Sequence, residues 1–356
     1  MLWMRYNNHK KRAAAQESVY LGWMMRKSWV FICFLACLLL GLLLACEPAT
    51  KPITEATPEP TALPDTPQPT EEPVVTVTPL ITEVPTEEPT PEPTPEPTPA
   101  YVTIGAVGDI MIPSGIVNDV RTETGEYDFT TLFAPVRELF ESVDLMCANL
   151  EVPLAGAQAG YSAPREGDGL YHFNAPDAVL DTLKEDGIDV LTTANNHCLD
   201  KGKNGLFRTI ETVRAAGFSQ TGTFLNEADR EQPLIVELNG MRIGILAATR
   251  LMNQVSHDFT RQEERTVVGY MDGQELCSEI VDDIARIQEA GAEFIILFAH
   301  WDYETDKPVD AQTKKMAAKL LAAGIDCIIG SHPHRVKSGE FLTVEREDGP
   351  YTGLVL

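Results

Sequence analysis

Positive charge is scarce in this sequence: 28 Lys and Arg stand against 53 Asp and Glu over 356 residues, for a formal net charge of −25. That balance argues against a nucleic-acid binder, because neutralising phosphates takes clustered basic residues in excess. Cysteine is sparse too, with seven in all, and no paired spacing among them indicates a disulfide framework. Cys147, Cys198, Cys277 and Cys327 sit in or beside apolar runs, where a free thiol behaves as a small hydrophobe. Residues 101–356 show no internal repeat, which sets solenoids aside there. Core-forming residues are not lacking, since a hydrophobic content of 44% argues against wholesale disorder.

What is there is unevenly spread, in three segments. Residues 1–46 carry Arg5, Lys10, Lys11, Arg12, Arg26 and Lys27 against one acid, Glu17, and end in an uncharged apolar run from Trp29 to Ala45. At 17 residues that run is nearly long enough to span a bilayer, so a permanent anchor competes with a cleaved signal peptide. Its end, Leu43-Leu44-Ala45-Cys46, resembles the lipobox of bacterial lipoproteins, which implies lipidation of Cys46. Either reading gives membrane attachment, and the long stretch before the run points to Met24 or Met25 as the true start. Residues 47–100 hold 16 of the 25 prolines and 11 acids against the single base Lys51. Proline at that density removes backbone donors and fixes φ, so the expectation is a disordered, self-repelling polyproline II stalk reaching at most about 170 Å.

Residues 101–356 carry a net charge of −20 and are expected to form the folded domain, long enough for a sizeable core. Short β-branched runs at 102–107, 143–148, 190–193, 243–248, 294–298 and 325–329 alternate with stretches of helical period at 206–216, 280–290 and 314–323. The glycines Gly217, Gly291 and Gly324 stand at the ends of those stretches, as helix stops do. The alternation predicts an α/β fold with sheet buried on both faces.

In α/β folds reactive side chains sit just beyond strand C-termini. Five predicted strand ends run into unusual polar residues: Gly108-Asp109, Asn149-Leu150-Glu151, Asn195-Asn196-His197, His300-Trp301 and Ser331-His332-Pro333-His334. Singly, Asp109 or Asn195 reads as a turn former. Together, Asp109, Glu151, Asn196, His300, His332 and His334 offer the carboxylate, amide oxygen and imidazole donors that hold Zn²⁺, Mn²⁺ or Fe. Cys198, beside His197, is expected to be packed rather than reactive.

These five motifs, in this order, resemble the CapA family of capsule or poly-γ-glutamate biosynthesis proteins, itself similar to the calcineurin-like metallophosphoesterases. The resemblance implies a four-layer α/β/β/α sandwich with one or two divalent ions at the strand ends. It assigns Asp109, Glu151, Asn196, His300, His332 and His334 as metal ligands and His197 as general acid or charge stabiliser. Asn149, Asn195 and Trp301 are expected to shape the pocket. Two departures stand out. Met111 occupies the place where phosphoesterases put a His ligand, and a thioether is a poor ligand for such ions. The family's Tyr-Ser-Leu-Gly-Asn-Phe continuation after Leu354-Val355-Leu356 lies outside this sequence, which implies either a longer chain or a homologue without the closing strands.

Two functions follow as expectations. The first is a metal-dependent, phosphoesterase-like hydrolase on the extracellular face of the bacterial cytoplasmic membrane, lipid-anchored, acting on an anionic envelope polymer or its precursor. The second is a non-catalytic subunit that assembles with capsule synthase membrane proteins. A polyanionic substrate meets a domain of like charge, so local Lys and Arg would have to outweigh the long-range field.

Overall fold

A computed structural model of the chain describes residues 101–164, 171–253, 258–271, 275–304 and 308–356. The apolar run, Cys46 and the proline-rich segment lie outside the described residues. Among the described residues no helix is long and apolar enough to cross a membrane.

Two sheets form. The first contains β1 (Ile104–Ile110), β2 (Leu145–Leu150), β3 (Val190–Thr192) and β4 (Ser219–Thr221), in that spatial order and all parallel. The second is built from β5 (Leu234–Leu238), β6 (Met241–Thr249), β7 (Phe294–His300), β8 (Cys327–Ser331), β9 (Glu340–Arg346) and β10 (Gly349–Val355), ordered β5-β6-β7-β8-β10-β9. Its four central strands run parallel, while β5 and β9 pair antiparallel at the two edges.

The helices are α1 (Ser114–Asp119), α2 (Arg137–Phe140), α3 (Val179–Glu185), α4 (Gly202–Ala215), α5 (Glu227–Arg230), α6 (Arg261–Val267), α7 (Ser278–Glu289) and α8 (Ala311–Ala322). Side-chain alternation along the strands accounts for the layering. In β2, Met146, Ala148 and Leu150 share a core with Leu180 and Leu183 of α3 and Val213 of α4, while Leu145 and Cys147 face the other way. In β7, Ile295, Leu297 and Ala299 pack on Ile284 of α7 and Leu320 of α8, while Ile296 and Phe298 face inward. The inward sets of both sheets meet in one cluster that joins Leu145 and Cys147 to Ile243, Ile245, Ile296 and Phe298. Period-2 strands buried on both faces therefore give four layers, helix, sheet, sheet, helix, as the resemblance implied.

The three expected helices are α4, α7 and α8, and each is followed by the expected glycine in the left-handed region: Gly217 (φ 82°), Gly291 (φ 82°) and Gly324 (φ 118°). All six expected strands are present, and β1, β2, β7 and β8 run two or three residues past their expected ends. That extension matters, because Asp109, Asn149 and His300 are strand residues and not loop residues.

Candidate metal centre

The inward face of each central strand is apolar until its last turn and then becomes polar. Along β2 the inward series is Leu145, Cys147, Asn149; along β7 it is Ile296, Phe298, His300; along β8 it is Cys327, Ile329, Ser331. The polar ends of both sheets thus meet at one edge of the seam between them. Asp109 reaches the seam by a different device. Val107 faces outward opposite Ala148, and strict alternation would send Asp109 outward as well. A register shift between Val107 and Asp109 absorbs Gly108 as a bulge, so Asp109 lies opposite the inward Asn149. A bulge re-aims a side chain in this way.

Asp109 is the best-satisfied carboxylate of the group. Its Oδ1 accepts from Asn149 Nδ2 at 2.7 Å, and its Oδ2 accepts from the His332 backbone N–H at 2.9 Å and pairs with His334 Nδ1 at 3.0 Å. Burial alone would raise its pKa, but the bonds from His334, Asn149 and His332 hold it well below the ordinary carboxylate range. The same contacts answer in His334, whose pKa the Asp109 bond raises. His332 and His334 both have positive φ, 93° and 52°, an uncommon conformation for such side chains. It folds the His-Pro-His segment so that the His334 imidazole and the His332 backbone N–H address the same acid.

Glu151 is the opposite case. It is fully buried, and neither carboxylate oxygen has a hydrogen-bond partner. The nearest imidazoles, His300 Nε2 at 3.5 Å and His197 Nε2 at 4.0 Å, are not in bonding geometry. Burial first, and then repulsion from Asp109, push its pKa up to about 10. His300 is also buried, and desolvation drives its pKa down to about 3, leaving a neutral ring. Its Nδ1 lies 2.9 Å from Ser331 Oγ and its Nε2 lies 2.7 Å from Asn196 Oδ1. His332 Nδ1 is buried without a partner, and desolvation lowers that ring's pKa too.

An unpartnered buried carboxylate is costly, and such groups are ordinarily bonded or bound to a metal. Two groups of donors satisfy the distances for cation binding among the described residues: Asp109, Glu151 and His300, and Glu151, His332 and His334, the ligand atoms of each lying within 4.8 Å of one another. Glu151 belongs to both, and has two orphaned oxygens to offer. The donor set of carboxylate, amide oxygen and imidazole suits divalent Mn, Zn or Fe. Met111 takes no part; it packs against the outer core of the first sheet and lines a neighbouring cavity of about 700 Å³.

His197 sits just past β3, buried, with Phe173 packed on its ring at 4.5 Å between centroids. Its Nδ1 lies 2.7 Å from Asp200 Oδ2, an oxygen that also accepts from the Phe173 backbone N–H at 2.8 Å. With Asp200 accepting the Nδ1 proton, Nε2 faces Glu151. Asn149 and Asn195 lie beneath the cluster, buried, with Asn195 Nδ2 donating to Asn149 Oδ1 at 3.1 Å and to the Leu150 carbonyl at 2.9 Å. Trp301 is buried and lines the cavity with Asp109, His332 and His334. Cys147, Cys198 and Cys327 are buried free thiols, and burial pushes Cys147 up to about 12, consistent with packing.

Sequence reasoning assigned no role to Asp200, Ser331 or Asn253. Asp200 was signalled by its spacing, three residues after His197. Asn253 follows β6, a central strand whose end carries no conspicuous polar cluster. Its Oδ1 accepts from Asn196 Nδ2 at 3.1 Å, and its Nδ2 stands 3.2 Å from His197 Nδ1.

Comparison with known proteins agrees with this architecture. The family model described as Bacterial capsule synthesis protein PGA_cap matches residues 103–347. The Capsule biosynthesis protein CapA of Bacillus anthracis is 26% identical over 238 residues, covering 67% of this chain and 55% of that protein. The PGA biosynthesis protein CapA of Bacillus subtilis (strain 168) is 25% identical over 229 residues, covering 64% and 56%. An uncharacterized protein, y4uA, of Sinorhizobium fredii is 22% identical, covering 67% and 62%. The chain spans little more than half the length of the two Bacillus relatives. With a match that runs from the start of β1 into β9 and a two-sheet sandwich carrying the motif residues at its seam, the chain belongs to the PGA_cap family of bacterial capsule synthesis proteins, within the metallophosphoesterase-like superfamily.

Proposed function

We propose that this domain is a metal-dependent, phosphoesterase-like hydrolase of capsule or poly-γ-glutamate synthesis, held by a lipid on Cys46 at the extracellular face of the cytoplasmic membrane. Its substrate in this reading is an anionic envelope polymer or a phosphorylated precursor of one. The observation that carries it is the convergence of Asp109, His300, His332 and His334 on Glu151, a buried carboxylate with no hydrogen-bond partner among the described residues. Asp109, Glu151, Asn196, His300, His332 and His334 would hold one or two divalent ions, which polarise a phosphoryl or carbonyl oxygen and acidify water when bound. His197 acts beside them. Asp200 fixes its Nδ1 proton and orientation, leaving Nε2 to exchange a proton with the reacting oxygen, and the Asp200 carboxylate stabilises the imidazolium that results. Like charge does not bar an anionic substrate: Lys314, Arg335 and Lys337 line the cavity beside His332 and His334. Lys314 pairs with Glu340 at 2.9 Å and Lys337 approaches Asp302 at 3.8 Å, so this wall is locally balanced within an acidic domain.

The test is metal analysis of the 356-residue chain purified in mild detergent, with a phosphodiester and a γ-glutamyl peptide assayed alongside His197→Ala. Metal-dependent turnover of one of them is expected, with His197→Ala retaining its metal and losing about 10²–10⁴ in kcat. Metal-free protein that still supports capsule formation in cells would overturn the enzymatic reading. Met111 favours a second reading, a non-catalytic subunit that binds the polymer or the capsule synthase membrane proteins, because it removes one ligand from the set. Under that reading cells carrying His197→Ala make capsule normally.

A further inference from the structure

Asn253 touches both working parts of the site while belonging to neither. Its backbone N–H donates to the Asn196 carbonyl at 3.2 Å, its Oδ1 accepts from Asn196 Nδ2 at 3.1 Å, and its Nδ2 lies 3.2 Å and 3.5 Å from the two ring nitrogens of His197. A primary amide has two faces of opposite character. If the Asn196 side chain turned by half a revolution, its NH₂ would point at His300 Nε2 and the cluster, and its oxygen would face the oxygen of Asn253. The acceptor at Asn253 Oδ1 forbids that arrangement, because it would set two lone-pair oxygens against each other and leave a buried N–H₂ aimed at cation ligands. The orientation present instead directs Asn196 Oδ1 to His300 Nε2 at 2.7 Å, the ring nitrogen that stands 3.5 Å from Glu151 Oε1.

We infer that Asn253 is the positioning residue of the centre: it holds the Asn196 amide with its oxygen turned inward, and so sets the affinity for the divalent ion. The inference rests on the metal-binding reading above and adds to it a residue in contact with a ligand through hydrogen bonds alone. Groups that orient ligands through such bonds typically change affinity 10–100-fold when removed. Asn253 is half-buried on a strand-end segment, so its truncation leaves the core intact.

The experiment compares wild type, Asn253→Ala, Asn253→Asp and Asn253→Leu in the 356-residue chain. Titration with Mn²⁺ is expected to give at least a tenfold weaker Kd for Asn253→Ala. Asn253→Asp, which keeps an acceptor facing Asn196 Nδ2, should restore affinity to the wild-type value or better. Asn253→Leu, which keeps the volume but removes the acceptor, should stay as weak as Asn253→Ala, whereas a merely structural role predicts that it rescues. A second readout needs no metal: the Asn196 side-chain amide protons, identified by their loss in Asn196→Ala, exchange slowly in wild type and faster in Asn253→Ala. An unchanged Kd, or amide exchange unaffected by Asn253→Ala, overturns the inference. If wild type binds no Mn²⁺, Zn²⁺ or Fe²⁺, the metal reading fails by itself, and the amide exchange alone decides whether Asn253 holds Asn196.

Discussion

A carboxyl group buried without a hydrogen-bond partner, as Glu151 is, keeps its proton at neutral pH, because burial and the Asp109 charge raise its pKa to about 10. A cation requires the carboxylate form, so binding must expel that proton. His300, with a pKa near 3, is already neutral and has none to give. Adding Mn²⁺ or Zn²⁺ to chelator-treated protein at pH 7 should therefore release about one proton from Glu151, read from the dependence of the calorimetric enthalpy on buffer ionisation. Apparent affinity should rise by about tenfold per pH unit from Glu151 alone below its pKa, and Glu151→Gln should remove that share of both effects, leaving only the share of His334, whose pKa the Asp109 bond raises. At this scale the sequence was most informative about donors and least about what holds them. The His-Pro-His and Asn-Asn-His segments announce imidazole and amide chemistry by residue type alone. Asn253 has a type that fits any turn, and only the spatial return of β6 to the end of β3 gives it a purpose.

Strands and turns place those residues, and here the legible part was the apolar period. Runs such as Ile243 to Ala248 and Phe294 to Phe298 were recognisable because each is buried on both faces. β4, with the sequence Ser-Gln-Thr, carries no apolar signal and was not foreseen, since its pairing with β3 rather than its side chains makes it a strand. The bulge at Gly108 was equally hidden, although it decides which face Asp109 takes. Close approach between elements sharpens at Gly222 (φ 98°), where a Cβ would come within 2.9 Å of Ala194 and Ala247. Gly240, also at positive φ (80°) in the Asn239-Gly240 turn joining β5 to β6, has nothing within 4 Å of an added Cβ. Gly240→Ala should thus lose only the conformational part, about 1 kcal/mol, whereas Gly222→Ala should lose about 2–3 kcal/mol because overpacking is added. Urea denaturation of the two variants checks the difference, and equal losses would refute the packing argument.

Over the whole molecule, the candidate ligands divide evenly between the sheets. Asp109 lies in β1, and Glu151 and Asn196 follow β2 and β3, while His300 ends β7, and His332 and His334 follow β8. A divalent ion bound among them would tie the two sheets together across their seam, beside the inward cluster that already joins them. Saturation at 100 times Kd should stabilise the folded state by about 2.7 kcal/mol. In scanning calorimetry this appears as a rise in Tm that a chelator reverses and that Glu151→Gln does not show. The four-layer arrangement itself was legible only through family resemblance, because strand periodicity says that faces are buried and not which sheet buries them.

The even division has a consequence for how the protein comes into being. Each sheet supplies only three of the six candidate donors, so a nascent or misdocked chain has half a site to offer. Under the proposed function, metal uptake would thereby act as proofreading: the full donor set would come together only once the two halves are correctly assembled.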